Sequence, residues 1–291
     1  MHRRPFVALL VASLAMLFLT GAAHAEQKPG PRPKRILFIG QAPDGHPPGT
    51  HEYRAGAGLM AKLVKQVVKN APVQAIVVSA DGEWADGPEL LDGADAAFLF
   101  VSQGAAWIQE KPRRLAAFQR LAKRGGGLVC LHWGMGTKDA ENIEAFVNLF
   151  GGCHGGPDRR YKVVDVTTEL PNRKHPVVSG IEPLEIHEEF YFKLKQPKGG
   201  KGITPLIRVS IEGESHTVAW AFDRPDGGRS FGFTGLHFHE NWKQESYRRL
   251  MTQGLLWTIS QKIPEKGVAI PIEAKDLVPP PQPPQSSRPK T

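Results

Sequence analysis

Hydrophobic residues recur along this chain in two alternating patterns. Arg35 to Gly40 holds a short, continuously apolar run, and Arg54 to Asn70 follows with Ala55, Leu59, Leu63 and Val67 at helical spacing, widened by Met60, Val64 and Val68. Val73 to Ser79 is β-branched and reads as a second strand, Ala96 to Val101 as a third, and Leu128 to Leu131 as a fourth. Between the last two, Pro112 opens a helix with Leu115, Phe118 and Leu121 on its buried face, and Gly125 to Gly127 stops it. Ile143, Phe146, Val147 and Phe150 give one more helical face, closed by Gly151 and Gly152. Continuously apolar strands alternating with amphipathic helices predict a parallel sheet covered on both sides. The second half adds strands at Tyr161–Thr167, Glu189–Leu194, Ile203–Ile211, Thr217–Phe222 and Ser230–Leu236, then a helix from Lys243 to Ser260 with Leu250, Leu255 and Trp257 on or near its buried side. The expected fold is α/β, a parallel sheet with added antiparallel strands.

The ends do not share this pattern. His2-Arg-Arg4, an apolar run from Phe6 to Leu19 broken only by Ser13, and Ala23-His-Ala25 have the form of a cleaved export signal. The run is shorter than the roughly 20 residues that cross a bilayer. An uncleaved N-terminal anchor is the alternative. The expected divisions are a signal over 1–25, a linker over 26–35, one domain over 36–263, and an extended, largely disordered tail over 264–291, whose stretch from Pro279 to Lys290 is Pro/Gln/Ser-rich. The mature protein is then secreted or periplasmic, with no stable membrane insertion after cleavage.

Charge changes the picture less than the totals suggest. The chain has 37 basic and 29 acidic residues, but eight of the bases and one acid lie in the signal, the linker and the Pro/Gln/Ser-rich stretch from Pro279, leaving 29 against 28. A nearly neutral domain gives no basic patch for nucleic acid. Of the two cysteines, Cys130 lies in a strongly apolar segment, where an inert buried thiol is expected. Export permits a bond to Cys153.

Candidate chemistry follows the histidines. His46 and His51 follow the first strand, His132 the fourth, and His237 and His239 the strand from Ser230, while His187-Glu-Glu189 precedes a strand containing Tyr191. Ligands of open parallel sheets bind beyond the carboxyl ends of the strands, so these loops are expected to converge. His132 and His237 are the candidate acid/base or metal-binding imidazoles, and Glu189 the carboxylate that takes a proton or orients one of them. His51, Glu52, Tyr191, Trp220, His239, Asn241 and Trp242 are expected to shape the pocket. Neutral imidazoles with one carboxylate suit a divalent metal such as zinc, with His132, His237 and His239 as candidate ligands.

Pro47-Pro-Gly-Thr-His-Glu-Tyr53, Gly125-Gly-Gly-Leu-Val-Cys-Leu-His-Trp133 and Gly228-Arg-Ser-Phe-Gly-Phe-Thr-Gly-Leu-His-Phe-His-Glu-Asn-Trp242 resemble the motif blocks of ThuA-like (trehalose-utilisation) domains, especially secreted planctomycete-type forms. His175-Pro-Val-Val-Ser-Gly180, Glu188-Glu-Phe-Tyr191 and Asp81-Gly-Glu-Trp84 are similar to further blocks. The resemblance implies a flavodoxin-like, class I glutamine-amidotransferase-like fold. It also implies a link to disaccharides, trehalose and its 3-keto derivatives in particular, hence a small sugar substrate. Two alternatives stand beside an enzyme of that kind. One is a non-catalytic envelope protein that binds sugar or acts as a scaffold. The other is a cysteine-dependent amidotransferase-like hydrolase, which the position of Cys130 inside a strand disfavours, because the nucleophile turn wants small neighbours.

Overall fold

The computed structural model describes residues 32–68 and 73–279. The expected signal, most of the linker and the last twelve positions lie outside the described residues. Among the described residues, eleven strands and six α-helices follow one another as β1 (Lys34–Gly40), α1 (Tyr53–Val67), β2 (Val73–Ser79), α2 (Gly87–Asp92), β3 (Ala96–Leu99), α3 (Gly104–Gln109), α4 (Pro112–Lys123), β4 (Gly127–Leu131), β5 (Gly136–Thr137), α5 (Ile143–Phe150), β6 (His154–Gly155), β7 (Arg160–Thr167), β8 (Glu185–Phe192), β9 (Ile203–Ile211), β10 (Glu214–Asp223), β11 (Arg229–Phe233) and α6 (Glu245–Thr258). The main sheet has seven strands in the order β2-β1-β3-β4-β11-β10-β9. Its first five are parallel, whereas β10 and β9 add antiparallel to β11. This is the flavodoxin-like order with two strands appended at one edge.

Alternation along each parallel strand divides the apolar residues between two cores. Ile36, Phe38, Phe98, Val129, Leu131 and Phe231 pack beneath α1 and α6. Leu37, Ile39, Leu99, Leu128 and Cys130 pack beneath the helices of the other face, with Phe118, Phe146 and Phe150. Both faces are therefore dry, which is why the strands read as unbroken apolar runs. Burying one such side chain stabilises the fold by about 1.5–3 kcal/mol.

The structure corrects the sequence reading at three places. The doublet Glu188-Glu189 lies inside β8 rather than before it, so the pleat sends the two carboxylates to opposite sides. Helices α2 and α3, six residues each, were too short to show a helical period. The stretch expected to begin the disordered tail is seated on the domain as far as the described residues reach. Val268 and Ile270 are buried, Arg248 and Arg249 donate to the carbonyls of Ile270 and Val268, and Lys62 pairs with Asp276 at 2.7 Å. Side chains of α6 bond its backbone at Val268 and Ile270, and a short 3-10 turn over Ala274–Leu277 carries Asp276 to Lys62, so no strand or long helix announces it.

Candidate functional site

The loop after β1 and the loop after β11 are stitched together. His51 N donates to the His237 carbonyl at 3.1 Å, His239 N to the Gly49 carbonyl at 2.8 Å, and Thr50 pairs with Phe238 as an isolated bridge. His132 begins the sharp turn after β4, in left-handed backbone at φ 47°, and His51 is left-handed too, at φ 52°. Such conformations cost about 1–3 kcal/mol in a residue other than glycine and gather at working sites. Glu189 and Tyr191, two positions apart on β8, face the same way.

These elements bring His51, His132, Glu189 and His237 together at the carboxyl edge of the parallel sheet, with one nitrogen or oxygen from each inside a mutual distance of 4.8 Å. His132 Nε2 lies 2.9 Å from His51 Nε2, 3.0 Å from the Tyr191 hydroxyl and 3.8 Å from a Glu189 oxygen. His237 Nδ1 lies 3.6 Å from that same oxygen. The outer nitrogens are anchored: His132 Nδ1 donates to the Thr234 carbonyl at 2.8 Å, and His51 Nδ1 to the Asp44 carboxylate at 3.0 Å. Tyr53 also donates to Asp44, at 2.7 Å.

Electrostatics keep the imidazoles neutral. Burial holds His132 well below its ordinary pKa, helped by His51 and His237, and burial lowers His51 against the opposing pull of Asp44. His237 falls to about 4 through burial and the neighbouring imidazoles. Glu189 rises to about 7, from burial and then from the charge of Glu188. Burial works against Asp44 as an anion, but hydrogen bonds and charge from His51, with Tyr53 and His46, hold it well below the usual carboxylate range.

Glu188, on the inner side of β8, accepts from the backbone N–H groups of Glu189, Leu236, His237 and Phe238, from Asn241 Nδ2 and from the Tyr247 hydroxyl. Burial raises its carboxyl above the ordinary value, against the pull of these donors. Donors on both oxygens leave no place for a carboxyl hydrogen, so the pocket is built for the anion. This carboxylate fixes the backbone that carries His237.

The expected pocket residues divide. His132, Glu189 and His237 converge, and His51 joins them. Tyr191 stacks on His132 with ring centroids 4.5 Å apart and on His154 at 4.0 Å. Glu52 accepts from Gly49 N and helps shape the β1 loop. Asn241 donates to Glu188 and to the His187 carbonyl, supporting the site from behind. His239 is buried outside the cluster, which corrects its place among the candidate ligands: β11 ends at Phe233 and His239 opens a 3-10 helix over His239–Lys243, so the two rings do not share a strand face. Trp220 and Trp242 are fully buried, and Trp220 Nε1 donates to the Phe150 carbonyl, so neither offers a ring face to a sugar. The sequence reading missed Asp44, Tyr53, Glu188 and Tyr161. Tyr161 faces Tyr191 across the β7–β8 ribbon and is 62 % exposed. Cys130 sits inside β4, fully buried, its thiol pushed up by burial and by Cys153, while both cysteines are free.

Fold and site define a flavodoxin-like α/β domain with three histidines and a glutamate at the carboxyl edge of its sheet. The family model for ThuA, described as trehalose utilisation, matches residues 49–258, and the chain belongs to that family. Membership points to carbohydrate utilisation. A putative ThuA-like protein from Bacteroides uniformis is 15% identical, with a TM-score of 0.60 over 80% of this chain and 94% of that one, and shares the fold. A cytoplasmic protein from Salmonella typhimurium aligns at 16% identity and a TM-score of 0.49, over 77% and 98% of the two chains. The CTPS glutaminase domain of Trypanosoma brucei aligns at 12% and 0.43, over 81% and 98%. No curated protein sequence matches the chain.

Proposed function

We propose that the protein is an enzyme acting on a small sugar or an oxidised, 3-keto glycoside, and that His51, His132, Glu189 and His237 are its working centre. One observation carries this reading: four side chains from three separate loops and a strand meet within 4.8 Å. Ordinary surface placement would not bring His51 and His237, 81 and 105 residues from His132 along the chain, into one cluster held by left-handed backbone at His51 and His132. Glu189 and His237, each with 12% of the side chain exposed, form the side that solvent and substrate reach. Glu189 moves a proton at a sugar hydroxyl or at the carbon beside a keto group, and the imidazoles orient the reacting oxygen. Tyr161 is the aromatic face open to the C–H groups of a sugar ring.

A binding protein without catalysis needs aromatic platforms more than a buried imidazole–carboxylate set. With Trp220 and Trp242 consumed by the core, the observations favour the enzyme. The export signal read from residues 1–25 makes a secreted or periplasmic site of action part of the proposal. Among the described residues no helix is long and apolar enough to cross a membrane.

Incubation of the purified protein with disaccharides and their 3-keto forms, with and without chelator, tests the reading. Conversion of at least one such sugar, lost in His132→Ala, is the expected result. Conversion of none, or conversion untouched by His132→Ala in folded protein, would overturn it.

A further inference from the structure

The hydrogens of the cluster do not balance. The Thr234 carbonyl only accepts, so the hydrogen of neutral His132 is on Nδ1 and a lone pair is on Nε2. The Tyr53 hydroxyl lies 2.8 Å from His51 Nδ1 but spends its one hydrogen on the Asp44 carboxylate at 2.7 Å, and a lone pair on Nδ1 would face that carboxylate at 3.0 Å, so the hydrogen of His51 is on Nδ1 and a second lone pair is on His51 Nε2. The two Nε2 atoms face each other at 2.9 Å. The Tyr191 hydroxyl can donate to His132 Nε2, yet His51 Nε2 then still has no donor. A third nitrogen, His237 Nδ1, is buried in the same cluster with no hydrogen-bond partner among the described residues. A cation accepts all these lone pairs at once.

We propose that His51 Nε2, His132 Nε2, His237 Nδ1 and Glu189 form a binding site for one divalent transition metal, zinc above all. Ligand atoms about 2.0–2.2 Å from a zinc ion lie about 3–4 Å from one another. The pairs here stand at 2.9, 3.6 and 3.8 Å, and none exceeds 4.8 Å, so closing on the ion takes only small side-chain shifts. Imidazole with one carboxylate suits zinc and its transition-metal neighbours, whereas magnesium and calcium prefer oxygen throughout. The outer nitrogens already have the partners that metal-bound histidines need, a carboxylate for His51 and a backbone carbonyl for His132. The inference deepens the function proposed above and rests on that reading for what the metal does, though not for whether it binds.

The test uses the untagged chain, stripped with chelator and titrated with cobalt(II), whose visible ligand-field bands report coordination without any substrate. One cobalt per chain, displaced by zinc, is expected. His51→Ala and His237→Ala should each weaken binding by about 100-fold or more, and Asp44→Asn by about 10–100-fold. Melting of each variant in chelator shows whether it is folded. Should the histidine variants fail to fold, Glu189→Gln, on the solvent side, must weaken cobalt binding and alter the bands. No stoichiometric binding, or unchanged affinity in the folded variants, would overturn the site. Metal binding without sugar turnover would keep the site and remove the proposed substrate; sugar turnover by protein that binds no cobalt would do the reverse.

Discussion

Glu188 and Glu189 are neighbours on one strand and live in opposite worlds. On the inner side of β8, Glu188 has every lone pair engaged, by four backbone N–H groups, an amide and a phenol. On the outer side, Glu189 faces His132 and His237 at 3.8 and 3.6 Å, beyond hydrogen-bond range, and His237 Nδ1 has no partner among the described residues. Burial is common to both and so cannot tell scaffold from chemistry. Saturation can. A buried polar group with all its partners holds the structure, whereas a buried cluster short of partners is held open for something else.

The comparison breaks most sharply at His237. His237→Ala should remove sugar turnover by at least about 100-fold, the scale of a lost acid/base group, with a melting temperature close to wild type. Steady-state kinetics beside a thermal melt checks it; turnover that falls only with the folded fraction would return His237 to the scaffold. Glu188→Gln should do the reverse in the first instance. It places an amide N–H against donors and should cost about 1–3 kcal/mol, a fall of several degrees in a domain of this size, measurable by denaturant titration. Tyr161→Ala sharpens the outer side: loss of an exposed sugar-facing ring should raise KM by about 3–10-fold with kcat little changed, on the scale of a ring contact of about 0.5–1.5 kcal/mol. The smallest effect is expected at Cys130. Cys130→Ala leaves a small cavity inside β4 and activity per folded molecule should survive, so loss of turnover in stable protein would revive a thiol mechanism.

The fold was legible because its physics is local. Dry-faced strands must be apolar at every position, and α1, α4 and α5 show their stripes over two turns or more. The members of the cluster were legible for the same reason, since His51, His132 and His237 follow strand ends whose destination the topology dictates and Glu189 shares a strand with Tyr191. Tyr161 was hidden because its partner, Tyr191, comes to it only across the β7–β8 ribbon, and Asp44 because it lies in an irregular loop whose path, not its spacing, turns the carboxylate onto His51 seven residues on. In the glutamate doublet the expected strand start, Glu189, lies four residues after the observed one, Glu185, an even offset that leaves Glu189 on the outer face with Tyr191, while the role of Glu188 on the inner face went unread. Trp220 and Trp242 misled: an aromatic ring suits a sugar face and a core equally well, and only the carbonyl of Phe150 or the packing of α6 decides between them.

The central claim is that the outer side of β8 is where the chemistry happens, and Glu189 tests it most directly. Glu189→Gln keeps the shape of the side chain, removes its charge and its proton transfer, and disturbs none of the bonds that hold Glu188. Turnover of the converted sugar and the melting temperature should be measured on this variant and the wild type side by side. The account predicts a loss of about 100-fold or more in kcat, with the melting temperature within a few degrees of wild type. Undiminished turnover in folded protein would contradict it.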